Sequence, residues 1–164
     1  MGVSKYISPG TSEIYDRYAD MLFRIACAEL HSDEDAQDAI HDVFVKYISK
    51  SPIFNSEEHE KAWFIRVTIN LCHDMQRHRA VVNKNSPPPT PDCFQFDSDE
   101  GGVMESVLSL PEKYKTVILL FFFEEQTIEC IASSLGISVS AVKMRLSRAK
   151  ALLKKSGIGG ENDL

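Results

Sequence analysis

A chain of 164 residues with 43% hydrophobic content can build one ordinary domain, or two small ones joined by a linker. Its longest apolar stretch, Val117 to Phe123, is far short of the roughly 20 residues of a membrane-spanning helix, and the N-terminus lacks the basic-then-apolar order of a signal peptide. The expectation is therefore a cytoplasmic protein with no direct membrane insertion. The formal charge of −6 opposes nonspecific nucleic-acid binding by the whole molecule, so the placement of the charges matters more than their sum.

Residues 12–80 read as helices throughout. Ile14, Tyr18, Leu22 and Ile25 fall at helical spacing, as do Ala36, Ile40, Val43 and Tyr47. Ser32 before Asp33-Glu34-Asp35 is a start signal: its hydroxyl can cap free amides, and the acids suit the positive end of the helix dipole. Ser51-Pro52 should end that helix. From Glu29 to Asp42 there are six acids and no Lys or Arg. Burying Ala36, Ile40, Val43 and Tyr47 leaves Asp38, His41, Asp42 and Val45 on the opposite side, and an apolar Val45 amid acids suits a protein-docking patch.

The next helix is expected from Trp63 to about Arg79. Phe64, Thr68, Leu71, Cys72 and Met75 share one side, while Trp63, Arg66, Asn70, Asp74 and Arg77 line the other at spacings of three and four. A Trp beside Arg and Asn offers stacking and edge hydrogen bonds to unpaired bases. A half-buried Trp with surface ion pairs fits the same pattern.

Between 81 and 102 the periodicity dissolves into Asn, Ser, Pro87-Pro88-Pro89 and Pro91, then Asp97, Asp99, Glu100 and a Gly pair, which reads as an extended, flexible acidic linker. Helical periodicity resumes near Val103 and continues to about Lys155, with Pro111 acceptable in a first turn. Phe121-Phe122-Phe123 is expected in the core, with one exposed ring as the alternative. Ile128, Ile131, Ala132 and Leu135 make an apolar face, Gly136 breaks the helix, and Val142, Leu146, Ala149 and Leu153 make the next. This is a helix-turn-helix pattern. Gly136 supplies the left-handed turn and Ser138 is placed to cap the second helix.

At about 100° per residue, the second helix turns Ser140, Met144, Ser147 and Arg148 outward, with Lys143 and Arg145 on its flanks. From Ser138 to Lys155 there are six bases and no acid. Short donors framed by cations suit a major groove, where Arg and Ser read base edges and Lys143, Lys150 and Lys154 meet phosphates. A solvated basic helix in a plain bundle shares the periodicity, but not the Gly turn together with the acid-free basic run.

The enzymatic signals are weak. Asp38 and His41 have D-x-x-H spacing, yet a carboxylate-bridged metal site needs a second such pair, and the other histidines lack it. No phosphate-binding Gly loop, nucleophile elbow or zinc-spaced Cys/His set appears, so no cofactor and no metal are expected. Cys27, Cys72, Cys93 and Cys130 are scattered, and the first, second and fourth lie in apolar helical patterns as expected reduced core thiols.

Together these segments resemble a known family. Asp35-Ala36-Gln37-Asp38-Ala39-Ile40-His41-Asp42-Val43-Phe44 is similar to the core-polymerase-binding segment of extracytoplasmic-function sigma factors of the sigma-70 family. Ala62-Trp63-Phe64 with Asn70, Asp74 and Arg77 resembles their promoter-melting helix. Leu110-Pro111, Ile131-Ala132, Leu135-Gly136-Ile137-Ser138 and Val142 to Ala149 resemble their region 4.

The resemblance implies an all-α fold of two small helical domains on a flexible acidic linker: region 2 over 12–80, the linker over 81–102 and region 4 over 103–157. It implies that Asp35, Asp38, His41, Asp42, Phe44 and Val45 dock on the clamp of core RNA polymerase, and that region 4 meets the flap. Phe54, Asn55, Trp63, Arg66, Asn70, Asp74 and Arg77 would capture the promoter −10 element. Ser138, Ser140, Lys143, Met144, Arg145, Ser147 and Arg148 would read the −35 element, the linker would thread the RNA-exit path, and an anti-sigma factor would hold the protein inactive. Two positions depart from the family pattern: His41 stands where Gln is usual, and Cys130 where Glu is common. The rival reading is a helix-turn-helix regulator that binds DNA without polymerase, which leaves the Asp38 face and the Trp63 stripe without a role.

Overall fold

The computed structural model describes residue 6, residues 9–82 and residues 101–157. The body of the expected linker, including its prolines, its acids and Cys93, and the last seven residues lie outside these. Among the described residues all regular structure is helical, and the chain divides into two compact units, Met1–Cys93 and Phe94–Leu164.

The first unit packs α1 (Thr11–Leu30), α2 (Asp33–Lys50) and α3 (Glu57–Val82) against one another. Ile14, Tyr18, Leu22 and Ile25 form the buried stripe of α1 that their spacing predicts. α1 stops at His31, which adopts a left-handed conformation (φ 54°). Its last carbonyls are met from α3, where Gln76 donates to the Glu29 carbonyl and Arg79 to that of Leu30 at 3.5 Å. Ser32 starts α2 as expected, its Oγ accepting from the Asp35 amide at 3.3 Å. α2 ends at Lys50, with Ser51 left-handed and its N–H donating to the Tyr47 carbonyl at 3.0 Å.

α3 begins at Glu57, six residues before the expected Trp63. Its first turn is held by polar groups that apolar periodicity cannot register: the Ser56 Oγ accepts from the His59 amide at 3.1 Å, and Glu57, Glu58 and Glu60 face the helix dipole. Ile65 and Ile69 join Phe64, Thr68 and Cys72 in the core, whereas Leu71 and Met75 are half-buried.

Phe64 is fully buried with rings around it: Tyr18 of α1 at 4.9 Å between centroids, Phe44 and Tyr47 of α2 at 5.6 and 5.2 Å, and Trp63 at 5.0 Å. Below this cluster the Glu60 side chain is also fully buried. Its carboxyl accepts hydrogen bonds from the hydroxyls of Tyr18 at 2.9 Å and Tyr6 at 3.1 Å, with the Arg17 guanidinium 3.6 Å away.

The second unit contains α4 (Gly101–Leu108), α5 (Glu112–Ile118), a π-helical turn (Leu119–Phe123), α6 (Ile128–Leu135) and α7 (Val139–Lys155). The π turn continues α5 with a wider register, closed by the Glu124 amide on the Leu119 carbonyl at 3.0 Å. This register corrects the reading of the phenylalanine triplet as core. Leu119 and Leu120 take the buried positions, Phe121 and Phe122 are half-buried, and Phe123 is exposed. Val142, Leu146, Ala149 and Leu153 bury the inner stripe of α7. Cys27 and Cys72 are buried thiols outside any disulfide, but Cys130 is only half-buried and does not sit in the core.

Burial, followed by the hydrogen bond to Glu60, raises the pKa of the Tyr18 hydroxyl far above the ordinary tyrosine range. The unfolded phenol ionises near about pH 10 while the folded one stays neutral, so stability present below that pH falls as pH rises past it. Tyr18→Phe should cost about 1–3 kcal/mol at neutral pH, because Glu60 loses a buried donor, and should flatten the alkaline decline. Urea unfolding from neutral to alkaline pH measures both; equal midpoints for the two proteins would remove Glu60 and Tyr18 from the stabilising core.

Candidate nucleic-acid interface

α7 presents a basic face because its apolar residues occupy one narrow stripe. Thr127 caps α6, its Oγ accepting from the Cys130 amide at 3.1 Å. Ile131 and Ala132 bury against α7, and Gly136 turns the chain at φ 66° and ψ 34°. Ser138 then opens α7, its Oγ accepting from the Ala141 amide at 3.1 Å. The Ser138 Oγ accepts this bond and keeps its O–H as a donor, so the cap and an outward contact are compatible.

Ser140, Lys143, Met144, Ser147 and Arg148 are exposed, and Arg145 is half-buried beside them. Lys150 instead places its ammonium 5.2 Å from the Phe122 ring centroid. Two neighbours were not foreseen. Val139 is exposed at the start of α7. Tyr114 of α5 has its hydroxyl pKa lowered by the Arg148 guanidinium, with Lys113 next.

α3 carries a second exposed stripe. Arg66, Asn70, Asp74 and Arg77 all face outward, Arg77 pairing with Asp74 one turn earlier. Trp63 is half-buried at the head of the stripe, edge-on to Phe54 at 5.8 Å and to Tyr47 at 6.1 Å. Phe54 itself is only 5% exposed, which corrects its assignment to a DNA contact: it is driven inward by the rings of Trp63 and His59. It pins the loop so that exposed Asn55, whose amide donates to His59 Nδ1 at 3.1 Å, projects beside the stripe. Ile53, 84% exposed next to it, escaped the sequence reading because an isolated residue in a loop has no period.

On α2, Asp38, His41, Asp42 and Val45 are exposed on one face as expected. Two residues assigned to that face are placed otherwise. Phe44, 7% exposed, is drawn inward between Tyr15 and Phe64. Asp35 is half-buried and ion-paired with Arg79 of α3, so it ties helices together. Beside the face, α1 and α2 enclose a groove of about 480 Å³ whose lining includes Tyr15, Phe23 and Asp20 from α1 and His41 from α2. Its α1 side was not foreseen, since Tyr15 and Phe23 lie off the buried stripe.

Comparison with known proteins decides what these surfaces belong to. Residues 14–81 match the family model for sigma-70 region 2, and residues 102–153 match that for sigma-70 region 4. The chain belongs to the sigma-70 family, in its extracytoplasmic-function group. It is a sigma factor, not an enzyme, and directs RNA polymerase to promoters through regions 2 and 4; its family binds core RNA polymerase and promoter DNA. Among its relatives, the sigma factor SigE of Mycolicibacterium smegmatis is 26% identical over 157 residues, covering 89% of this chain and 61% of SigE. SigV of Bacillus subtilis is 27% identical over 136 residues, covering 81% of this chain and 82% of SigV. The fold is that of the sigma factor RpoE of Bartonella quintana, solved in complex with the anti-sigma factor NepR. The two superpose with a TM-score of 0.76 at 18% identity, over 91% of this chain and 98% of that one.

The turn of the sigma factor's helix-turn-helix can be tested directly. A Cβ on Gly136 would meet nothing within 4 Å, so the cost of Gly136→Ala is purely conformational. It should be about 1–2 kcal/mol, the penalty of a left-handed L-residue. Denaturant unfolding of the full chain measures this; unchanged stability would exclude the left-handed turn in solution.

Proposed function

We propose that region 2, over 12–80, seats the exposed face of α2 on the clamp of core RNA polymerase through Asp38, His41, Asp42 and Val45. Region 4, over 103–157, meets the flap and lays α7 in the major groove of the −35 element. The loop at Asn55 and the α3 stripe of Arg66, Asn70, Asp74 and Arg77 hold the unpaired −10 strand, with Trp63 at its head. An anti-sigma protein covers these surfaces in the resting cytoplasm.

The observation that carries this reading is the segregation of charge by exposed face. Glu29 to Asp42 holds acids without Lys or Arg, and Ser138 to Lys155 bases without acids. Within these two segments the exposed charged residues of α2 are acids and those of α7 are bases. An acidic face around an apolar Val45 suits a basic, partly apolar protein partner, whereas the α7 face suits phosphate and base edges. A free-standing helix-turn-helix regulator would leave the α2 face unused.

Reconstitution of the chain with core polymerase, followed by run-off transcription on host promoters, tests the whole. Stoichiometric binding and new start sites are expected; a duplex shift by the chain alone, with no polymerase binding, would establish the regulator instead. Asp38→Arg should abolish polymerase binding while leaving helical content and melting temperature intact. Retained binding would remove the α2 face from the interface. Arg148→Ala should weaken −35 recognition by about 1–3 kcal/mol, the worth of a bidentate base contact. Equal losses on specific and scrambled DNA would reassign Arg148 to phosphate.

A further inference from the structure

The outward side of α7 is polar and cationic with one long apolar side chain at its centre. The buried stripe of Val142, Leu146, Ala149 and Leu153 fixes which side faces in. At about 100° per residue, Met144 falls opposite that stripe. It is 48% exposed, with exposed Ser140 one turn before it and exposed Ser147 and Arg148 one turn after. From Ser138 to Lys155 the chain has six bases and no acid, so Met144 stands alone among groups that suit DNA.

A thioether has no N–H or O–H to donate to a phosphate or to a base edge, and its sulfur is a poor acceptor. The base edges of the major groove are hydrogen-bonding groups with one exception, the C5-methyl of thymine. That methyl is the one feature of the groove from which an apolar side chain gains by excluding water. Methionine is unbranched and flexible, so its end reaches past the short serines beside it. Arg148 lies four residues further on, about 6 Å along the helix axis and close to two base-pair steps. The two side chains therefore meet different base pairs.

We propose that Met144 determines specificity for thymine in the −35 element, its thioether end packing on the 5-methyl group of a thymine near the base pair that Arg148 reads. This rests on the seating of α7 in the major groove given above. Duplex DNA is the occupant that the face selects, because the exposed Lys143 and Arg148 on either side of Met144 complement phosphates and base acceptors, and no acid on the helix opposes them.

The test uses core polymerase reconstituted with the full chain. The preferred −35 element is selected from a randomised promoter library, and each of its thymines, on either strand, is replaced singly by deoxyuridine. This removes the 5-methyl group and keeps every hydrogen-bonding group of the base. Promoter binding is then measured for the natural chain, Met144→Ala and Arg148→Ala. One deoxyuridine should weaken binding of the natural chain about twofold to fivefold, the worth of one buried methyl group. Met144→Ala should lose a similar factor on the thymine promoter and no longer distinguish the two bases, with polymerase binding and melting temperature unchanged. If Arg148→Ala weakens −35 recognition but no deoxyuridine is felt, the reading of thymine is overturned while the seating of α7 stands. The same holds if the selected element contains no thymine, or if Met144→Ala senses the methyl group as strongly as the natural chain. If neither variant alters −35 recognition, the seating of α7 fails and the role of Met144 falls with it.

Discussion

Region 2 depends on the ring packing around Phe64. That side chain is buried where three helices meet, and the rings touching it come from α1, α2 and α3 itself. Aromatic pairs contribute about 0.5–1.5 kcal/mol each beyond the area they bury, and they do so at preferred distances and tilts. The cluster therefore fixes orientation as well as proximity. Because Phe44 and Tyr47 reach inward from α2, the Asp38, His41, Asp42 and Val45 face must point outward. Because Phe64 reaches inward from α3, Arg66, Asn70 and Asp74 must point outward on that helix. Both expected contact surfaces of region 2 are the outer sides of one aromatic core.

The same logic explains the buried polar groups beneath it. Glu60 lies one turn before Phe64 on α3, and a buried carboxyl group is tolerated only with its hydrogen bonds made. Tyr18 serves both needs, stacking on Phe64 through its ring and donating to Glu60 through its hydroxyl. Tyr6 donates to the same oxygen and so ties a residue preceding α1 to α3. Region 4 has a smaller core and relies more on local geometry: three side-chain or backbone devices at Thr127, Gly136 and Ser138 set where each helix starts and stops.

What the sequence made legible follows from what has a period. The inner stripe of α7, the caps at Ser32 and Ser138 and the left-handed Gly136 were all readable, since each is a local pattern with a local cause. Phe44 and Phe54 were misread because the family resemblance placed them within contact segments, and only the packing of rings from distant residues shows them buried. Asp35 was misread for a similar reason, its partner Arg79 lying on another helix. The π turn escaped because a run of apolar residues does not reveal its register, and one inserted residue rotates everything after it.

The charge distribution bears on why a DNA-binding protein carries a net charge of −6. Electrostatic attraction to DNA grows with the number of phosphates neutralised, and the α7 face offers only a few well-exposed cations, Lys143 and Arg148 foremost. At physiological salt, fields between exposed charges fade over about 8 Å, so these cations act on the phosphates beside them and gain little from the rest of the chain. Such a face discriminates between base sequences without holding DNA strongly by itself. Affinity then comes from elsewhere: in the proposed function, the acidic α2 face bound to polymerase tethers α7 near duplex DNA, where a weak contact becomes an intramolecular one. A net negative chain with one small basic face is therefore suited to recognition that operates only in company with polymerase.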